Sequence, residues 1–180
     1  RVLIDDPQHG VGRGFGCLWR AALLALESAF ADGGERPLDR RNVLVIGTGP
    51  LARTMIFGAT RRKGLVSVAG GDDVTARQLA AASGARFVPS QNLYDTLVDV
   101  VVLADPELEL GPGRGQLNPS FLRPPMRVID VAAGREDTAV LIEARSRGCE
   151  VVEPEVVWRS LAESLYRSIT GEDLPGELFE

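Results

Sequence analysis

The sequence predicts an α/β domain, a three-layer, doubly wound parallel sheet of about six strands with flanking helices. Three observations carry that expectation. Short continuous apolar runs, with Asn42 to Ile46 (NVLVI) and Val98 to Leu103 the clearest, mark strands covered on both faces. Between most of them lie segments whose apolar residues recur at steps of three and four, as in amphipathic helices. One strand-to-helix junction is a glycine turn, Gly47-Thr48-Gly49-Pro50-Leu51-Ala52-Arg53. Strand, helix, strand at this rhythm closes right-handed into a parallel sheet.

Taken in order, residues 1–14 hold a short apolar run (Val2, Leu3, Ile4) and then Pro7, Gly10, Gly12 and Gly14, which read as a loop or hairpin remnant. From Phe15 to Phe30 the spacing of Leu18, Ala21, Ala22, Ala25 and Leu26 predicts a helix that Gly33 and Gly34 stop. Strands follow at Asn42 to Ile46, Leu65 to Val68, Arg86 to Val88, Val98 to Leu103, Arg127 to Val131 and Glu150 to Val152. Helices are expected from Pro50 to Arg62, Val74 to Ser83, about Asp137 to Arg147 and about Glu155 to Ile169; proline is tolerated in a first turn. Pro106 to Pro125, crowded with proline and glycine, is expected to be a long loop with little regular structure. The implied division is an N-terminal remnant (1–14), a connecting helix (15–34), a dinucleotide-binding domain (42–153) and a C-terminal helix and tail (154–180).

Composition narrows the functional classes. The chain has 180 residues and a formal net charge of −5, which gives no electrostatic footprint for nucleic acid. No apolar run approaches the roughly 20 residues of a membrane span. Two cysteines, Cys17 and Cys149, cannot build a disulfide scaffold and suit a reducing cytoplasm. His9 is the single histidine and lies in a glycine-rich loop with no nearby cysteine or carboxylate cluster at ligand spacing, so no metal is expected. The basic residues are arginines except for Lys63. The chain opens on Arg1 with neither an initiator Met nor a signal-like segment, as expected of a piece of a longer protein.

The glycine turn carries the chemistry. It follows a strand and opens a helix, the context that distinguishes a G-x-G-x-x-A fingerprint of a Rossmann-type domain from a chance match. Gly47 permits the tight turn, Gly49 lets a pyrophosphate approach the backbone, and Ala52 permits close helix–sheet contact. The first amides and the helix dipole favour an anion. A ribose is read at the tip of the second strand, here Ala69-Gly70-Gly71-Asp72-Asp73. An acidic residue there suits a free 2′-hydroxyl and so NAD over NADP; equally, Asp72 or Asp73 caps the following helix. Arg61, Arg62 and Lys63 complement a helix C-terminus, with a 2′-phosphate contact as the sharper alternative.

The helix before VLVIGTGPLAR, the VIDV strand and the stretch VVEPEVVWRSLAESLYRSITGEDLP together resemble the C-terminal part of the shikimate dehydrogenase family, from about Val2 to Pro175. The resemblance implies an NADP-binding domain and reversible hydride transfer between NADP and 3-dehydroshikimate. It also implies a separate N-terminal domain that holds shikimate and supplies a catalytic lysine. That domain, or a fused enzyme such as a 3-dehydroquinate dehydratase, is the expected partner; a homodimer through the apolar stripe of Trp158, Leu161, Leu165 and Ile169 is the other.

Carried across position by position, the family's functional residues are largely replaced. Its Asn-Thr-Asp, whose Asp works with the lysine, falls on Gly16-Cys17-Leu18, and leucine cannot shuttle a proton. Its phosphate-gripping Asn-Arg-Thr falls on Gly70-Gly71-Asp72, and its cofactor-lining Asn-Ala-Thr on Leu103-Ala104-Asp105. Its Tyr-Asn-Pro falls on Ala133-Gly134-Arg135, with Thr138 kept, and the glutamine of the last helix falls near Leu161. The glycine turn with Arg53 and the closing Thr170-Gly171 survive. Each lost polar partner costs on the order of 1–3 kcal/mol. Five together would erase micromolar binding, about 8 kcal/mol. The cofactor-binding positions expected are therefore Gly47, Thr48, Gly49, Pro50, Leu51, Ala52, Arg53, Gly70, Asp72, Leu103 and Ala104, with no catalytic residue in the chain. The competing expectation is a degenerate, non-catalytic nucleotide-binding or assembly module of a multidomain protein.

Overall fold

The structure is a computed structural model that describes residues 2–6, 11–15, 17–30, 36–113, 116–134 and 136–176. Two strands, β1 (Val2–Asp6) and β2 (Val11–Phe15), form an antiparallel hairpin. Helix α1 (Cys17–Ser28) follows. Then come β3 (Asn42–Ile46), α2 (Pro50–Arg61), β4 (Leu65–Ala69), α3 (Asp73–Ser83) and β5 (Arg86–Phe87). The second half is β6 (Val100–Leu103), β7 (Arg127–Asp130), α4 (Ala139–Ser146), β8 (Glu150–Val151) and α5 (Pro154–Thr170). Strands β3 to β8 make one all-parallel sheet in the order β5-β4-β3-β6-β7-β8. The chain starts in the middle, winds outward one way, then crosses back past β3 and winds the other way. Its reversal lies between β3 and β6, where such sheets open a crevice at their carboxyl edge.

The six strands fall where the apolar runs place them. The opening helix is shorter than expected: Phe15 ends β2 opposite Val2, so the helix begins only at Cys17. Gly33, Gly34 and His9 lie outside the described residues. Alternation across the pleat divides the core in two. Val43, Val45, Val68, Val100 and Val102 face a layer built from α1, α2, α3 and α5. Leu44, Ile46, Val101, Leu103 and Val128 face the other side.

On that other side α4 is the only α-helix among the described residues. The rest of the cover comes from the segments that connect β5 to β6 and β6 to β7. The long proline- and glycine-rich loop is irregular as expected, with a single 3₁₀ turn at Pro119–Phe121, yet it is not a surface excursion. Leu117, Phe121, Leu122 and Met126 are buried against the sheet in place of a helix. Among the described residues no helix is long and apolar enough to cross a membrane.

At the far end of the chain α5 packs chiefly along α1, so the stripe of Leu161 and Leu165 is half-buried rather than bare. Trp158 and Ile169 remain exposed. Cys17 and Cys149 are free and buried. Burial pushes the Cys149 thiol above its ordinary value.

Candidate functional site

The glycine turn sits on the carboxyl edge between the ends of β4 and β6. Gly47 donates its N–H to the Ala69 carbonyl at 2.9 Å, while Ala104 donates to the Ile46 carbonyl at 2.8 Å. Gly47 has φ +133°, and a Cβ there would lie 2.8 Å from the Ala104 carbonyl oxygen. The turn is thus wedged so tightly that only glycine fits. A Cβ on Gly70 would in turn meet the Thr48 methyl at 2.9 Å. Gly47, Thr48, Gly70 and Ala104 are therefore one packed unit.

Gly49 is different. Its φ is −75°, open to any residue, and a Cβ built on it meets nothing within 4 Å. It is the N-cap of α2, where no side chain caps the helix, and Pro50 occupies the next position without an N–H. The amides of Leu51 and Ala52 have no intrahelical acceptor at that place. Arg53 donates its own N–H to the Gly49 carbonyl at 3.2 Å and so closes the first turn. Ala52 is buried against the sheet and Arg53 is exposed. The result is a bare backbone surface at the positive end of a twelve-residue helix.

Beside the turn, between the tip of β4 and the loop after β6, runs a groove of about 840 Å³. Asp72, Asp73, Ser90, Gln91, Gln116 and Asn118 give it a polar wall, and no described residue lining it is basic. The Asp72 carboxylate is already engaged. It accepts from the Val74 and Thr75 amides, at 3.3 and 3.0 Å, and from the Thr75 hydroxyl. These bonds hold its carboxyl below the ordinary value of 3.8. Of the two readings open in the sequence, capping of α3 is therefore what this side chain does, although it also lines the groove. Asp73 accepts from the Ser90 amide at 3.4 Å, and the Ser90 hydroxyl donates to the Gly70 carbonyl at 2.8 Å. The loop after β6 is pinned by Gln116, whose side-chain oxygen accepts from the Gly113 amide at 3.0 Å.

Two other expected positions behave differently. The Leu103 side chain is fully buried in the core, so it offers the edge only backbone. Arg61, Arg62 and Lys63 lie at the opposite end of α2, about 18 Å along a helix of that length. A contact with a 2′-phosphate at the carboxyl edge is therefore out of their reach.

One site residue was missed from the sequence. Asp130 ends β7 and is 8% exposed. Its carboxylate accepts from the Ala132 and Ala133 amides at 2.9 and 3.0 Å and from the Thr138 hydroxyl at 3.0 Å. Thr138 in turn accepts from the Leu141 amide and caps α4. Desolvation outweighs these bonds and raises the Asp130 carboxyl above its ordinary value. The loop it holds is tied from outside as well, because the Trp158 indole N–H donates to the Gly134 carbonyl at 2.6 Å. The only available signal was an acidic residue at the end of an apolar strand with a threonine eight residues on. Among the described residues no group of three or more histidine, cysteine or acidic side chains could hold a metal. Of the three residues that the sequence resemblance sets against the family's acid–base segment, Cys17 is buried and Leu18 half-buried, while Gly16 lies outside the described residues.

No protein-family model matches this sequence, and no curated protein does. Solved structures do. Shikimate dehydrogenase from Aquifex aeolicus superimposes with a TM-score of 0.77 at 18% identity, over 96% of this chain and 62% of its own. Quinate dehydrogenase from Corynebacterium glutamicum, solved with NAD, gives 0.72 at 22% identity, over 95% of this chain and 62% of its own. Shikimate 5-dehydrogenase from Thermus thermophilus, solved with NADP(H) and shikimate, gives 0.73 at 22% identity, over 92% and 60%. The present chain thus spans about three fifths of the length of each. At these identities the likeness establishes the fold: the chain has the doubly wound architecture that these shikimate and quinate dehydrogenases carry over the matched part of their length.

Proposed function

We propose that this chain is the dinucleotide-binding part of an oxidoreductase of the shikimate dehydrogenase type. It holds NAD or NADP at the Gly47–Arg53 turn and brings no acid or base of its own to the reaction. One observation carries the reading. Gly49 has no conformational need to be glycine and no neighbour that a Cβ would strike, yet it stands before two amides without intrahelical acceptors. Space left free of side chain at a helix N-terminus fits the close approach of a pyrophosphate. Of the neighbours, the Corynebacterium glutamicum enzyme is in complex with NAD and the Thermus thermophilus enzyme with NADP(H).

The residues present fit such a group. The Leu51 and Ala52 amides would hold the pyrophosphate, and the groove beside Asp72 and Ser90 would take the adenosine end. When bound, the nicotinamide supplies hydride transfer. Two carboxylates and no described basic residue along the groove favour a free 2′-hydroxyl over a 2′-phosphate, hence NAD over NADP. The partner that completes the active site is a substrate domain carried elsewhere, on this polypeptide or another.

Calorimetric titration with each nucleotide tests the proposal. NAD is expected to bind with one site per chain, and NADP about tenfold or more weakly. Gly49→Asp places a carboxylate in open space at the N-cap of α2, so it should abolish nucleotide binding while leaving the thermal midpoint at or above the wild-type value. The second reading, a degenerate assembly module, is favoured by Leu18 standing where the family has its acid–base aspartate. Failure of both nucleotides to bind the wild type would establish it and overturn the first.

A further inference from the structure

We propose that the amino edge of the sheet carries a second site, unconnected with the glycine turn, for a small oxyanion bearing two or more negative charges. A pocket of about 320 Å³ opens there, walled by the end of α1, the segment before β3 and the end of α2. Among the described residues its lining is Glu27, Arg36, Leu38, Arg61, Arg62 and Lys63. That volume suits a small ligand.

Charge makes the pocket specific. Glu27 is spent on Arg62, whose Nε donates to its carboxylate at 2.6 Å in a half-buried pair that ties α1 to α2. Arg36, Arg61 and Lys63 remain, exposed and without a carboxylate partner among the described residues. Arg36, Lys63 and Arg61, whose guanidinium also stands 5.5 Å over the Phe57 ring, thus line one concavity in a chain whose net charge is −5. Arginine forks and a lysine ammonium around a cavity are the donor set that phosphoryl and carboxylate groups take.

The helix dipole does not account for them. At the end of α2 the Ala59 carbonyl already accepts from the Arg62 amide and from that of Gly64 at 3.1 Å, and the Thr60 carbonyl from that of Lys63 at 2.9 Å. The half charge at a helix C-terminus calls for one cation at most. Lys63, the single lysine of the chain, has φ +61°, and Arg40 has φ +60°. The Arg40 amide donates to the Lys63 carbonyl at 3.0 Å, so the two left-handed residues brace one another. Glycine or asparagine would take such a conformation more easily. At Lys63 that conformation closes α2, with the Gly64 amide on the Ala59 carbonyl and the Lys63 amide on that of Thr60, and it sets the Lys63 side chain on the pocket wall.

The test is isothermal calorimetry with inorganic pyrophosphate and with citrate, on the wild type, on Gly49→Asp and on the double variant Arg61→Gln with Lys63→Gly. Glycine relieves the strain at position 63, so a thermal midpoint at or above the wild-type value shows the double variant folded. Saturable binding of either probe to the wild type and to Gly49→Asp is expected. The dissociation constant should rise about tenfold or more in the double variant. Pyrophosphate alone binding assigns a phosphoryl ligand, citrate alone a polycarboxylate, and both their shared chemistry. The proposal is overturned if neither probe binds the wild type saturably. It is equally overturned if the double variant binds as well as the wild type, or if Gly49→Asp alone removes the binding. A loss in Gly49→Asp would move the anion to the glycine turn and leave the nucleotide reading standing, so the two proposals fail separately.

Discussion

Gly47 and Asp130 set the carboxyl edge, one by having no side chain and the other by burying a charged one. Gly47→Ala would combine φ +133° with a Cβ 2.8 Å from the Ala104 carbonyl oxygen. Since that oxygen belongs to the backbone and cannot swing away, the expected cost is about 3 kcal/mol or more, read from the shift of the urea midpoint. Asp130 makes a prediction in pH. Its folded carboxyl holds a proton more tightly than the ordinary value of 3.8, because desolvation outweighs the Thr138, Ala132 and Ala133 bonds. The stability it contributes is then complete below 3.8 and is lost as pH rises through the folded value. Asparagine does not titrate. Asp130→Asn should therefore gain on the wild type between acid and neutral pH in paired urea titrations; a constant difference would show that the buried carboxylate carries no such penalty.

Among the elements, the connection from β6 to β7 departs furthest from its appearance in the sequence. Eight of its residues are proline or glycine, and by composition it is a solvated loop. Yet Phe121 is 1% exposed and sits with Leu117, Leu122 and Met126 against β6 and β7. Phe121→Ala is accordingly expected to cost about 3–5 kcal/mol, as for a helix-borne core residue, with an unchanged dependence on denaturant. A cost below about 1 kcal/mol would mean that the segment only rests on the sheet. The contrast explains what was legible beforehand. Parallel strands buried on both faces are near-continuous valine and leucine runs, so β3 was readable to the residue and β6 to within two residues at its start. The glycine turn was readable because tight geometry demands particular residues. The irregular cover has no period, its apolar residues being placed by tertiary fit alone, so its burial left no pattern. Asp130 escaped for a related reason: its partners are backbone amides, which every residue offers.

On the scale of the whole molecule, the first and last helices meet. Helix α5 packs along α1, and its Trp158 reaches the Gly134 carbonyl in the loop that Asp130 holds from within. The carboxyl edge is thus braced by the sheet, by α4 and by the chain's end. What that edge offers is backbone amides at the glycine turn and a groove with acidic walls. Of the described carboxylates at that edge, Asp130 is buried and bonded three times, Asp72 is committed to its cap, Asp73 accepts from the Ser90 amide and Asp105 from the Glu107 amide. General acid–base catalysis contributes about 10²–10⁴-fold and needs a group within hydrogen-bond reach of the reacting proton. The chain by itself should therefore bind nucleotide yet show no shikimate-dependent reduction of NAD or NADP, followed as absorbance of the reduced nicotinamide at saturating substrate. Steady-state turnover above the enzyme-free rate would contradict this. If that turnover disappeared in Asp130→Asn but survived in Leu18→Ala, the buried carboxylate would be the proton carrier, and the bracing role assigned to it here would have to be given up.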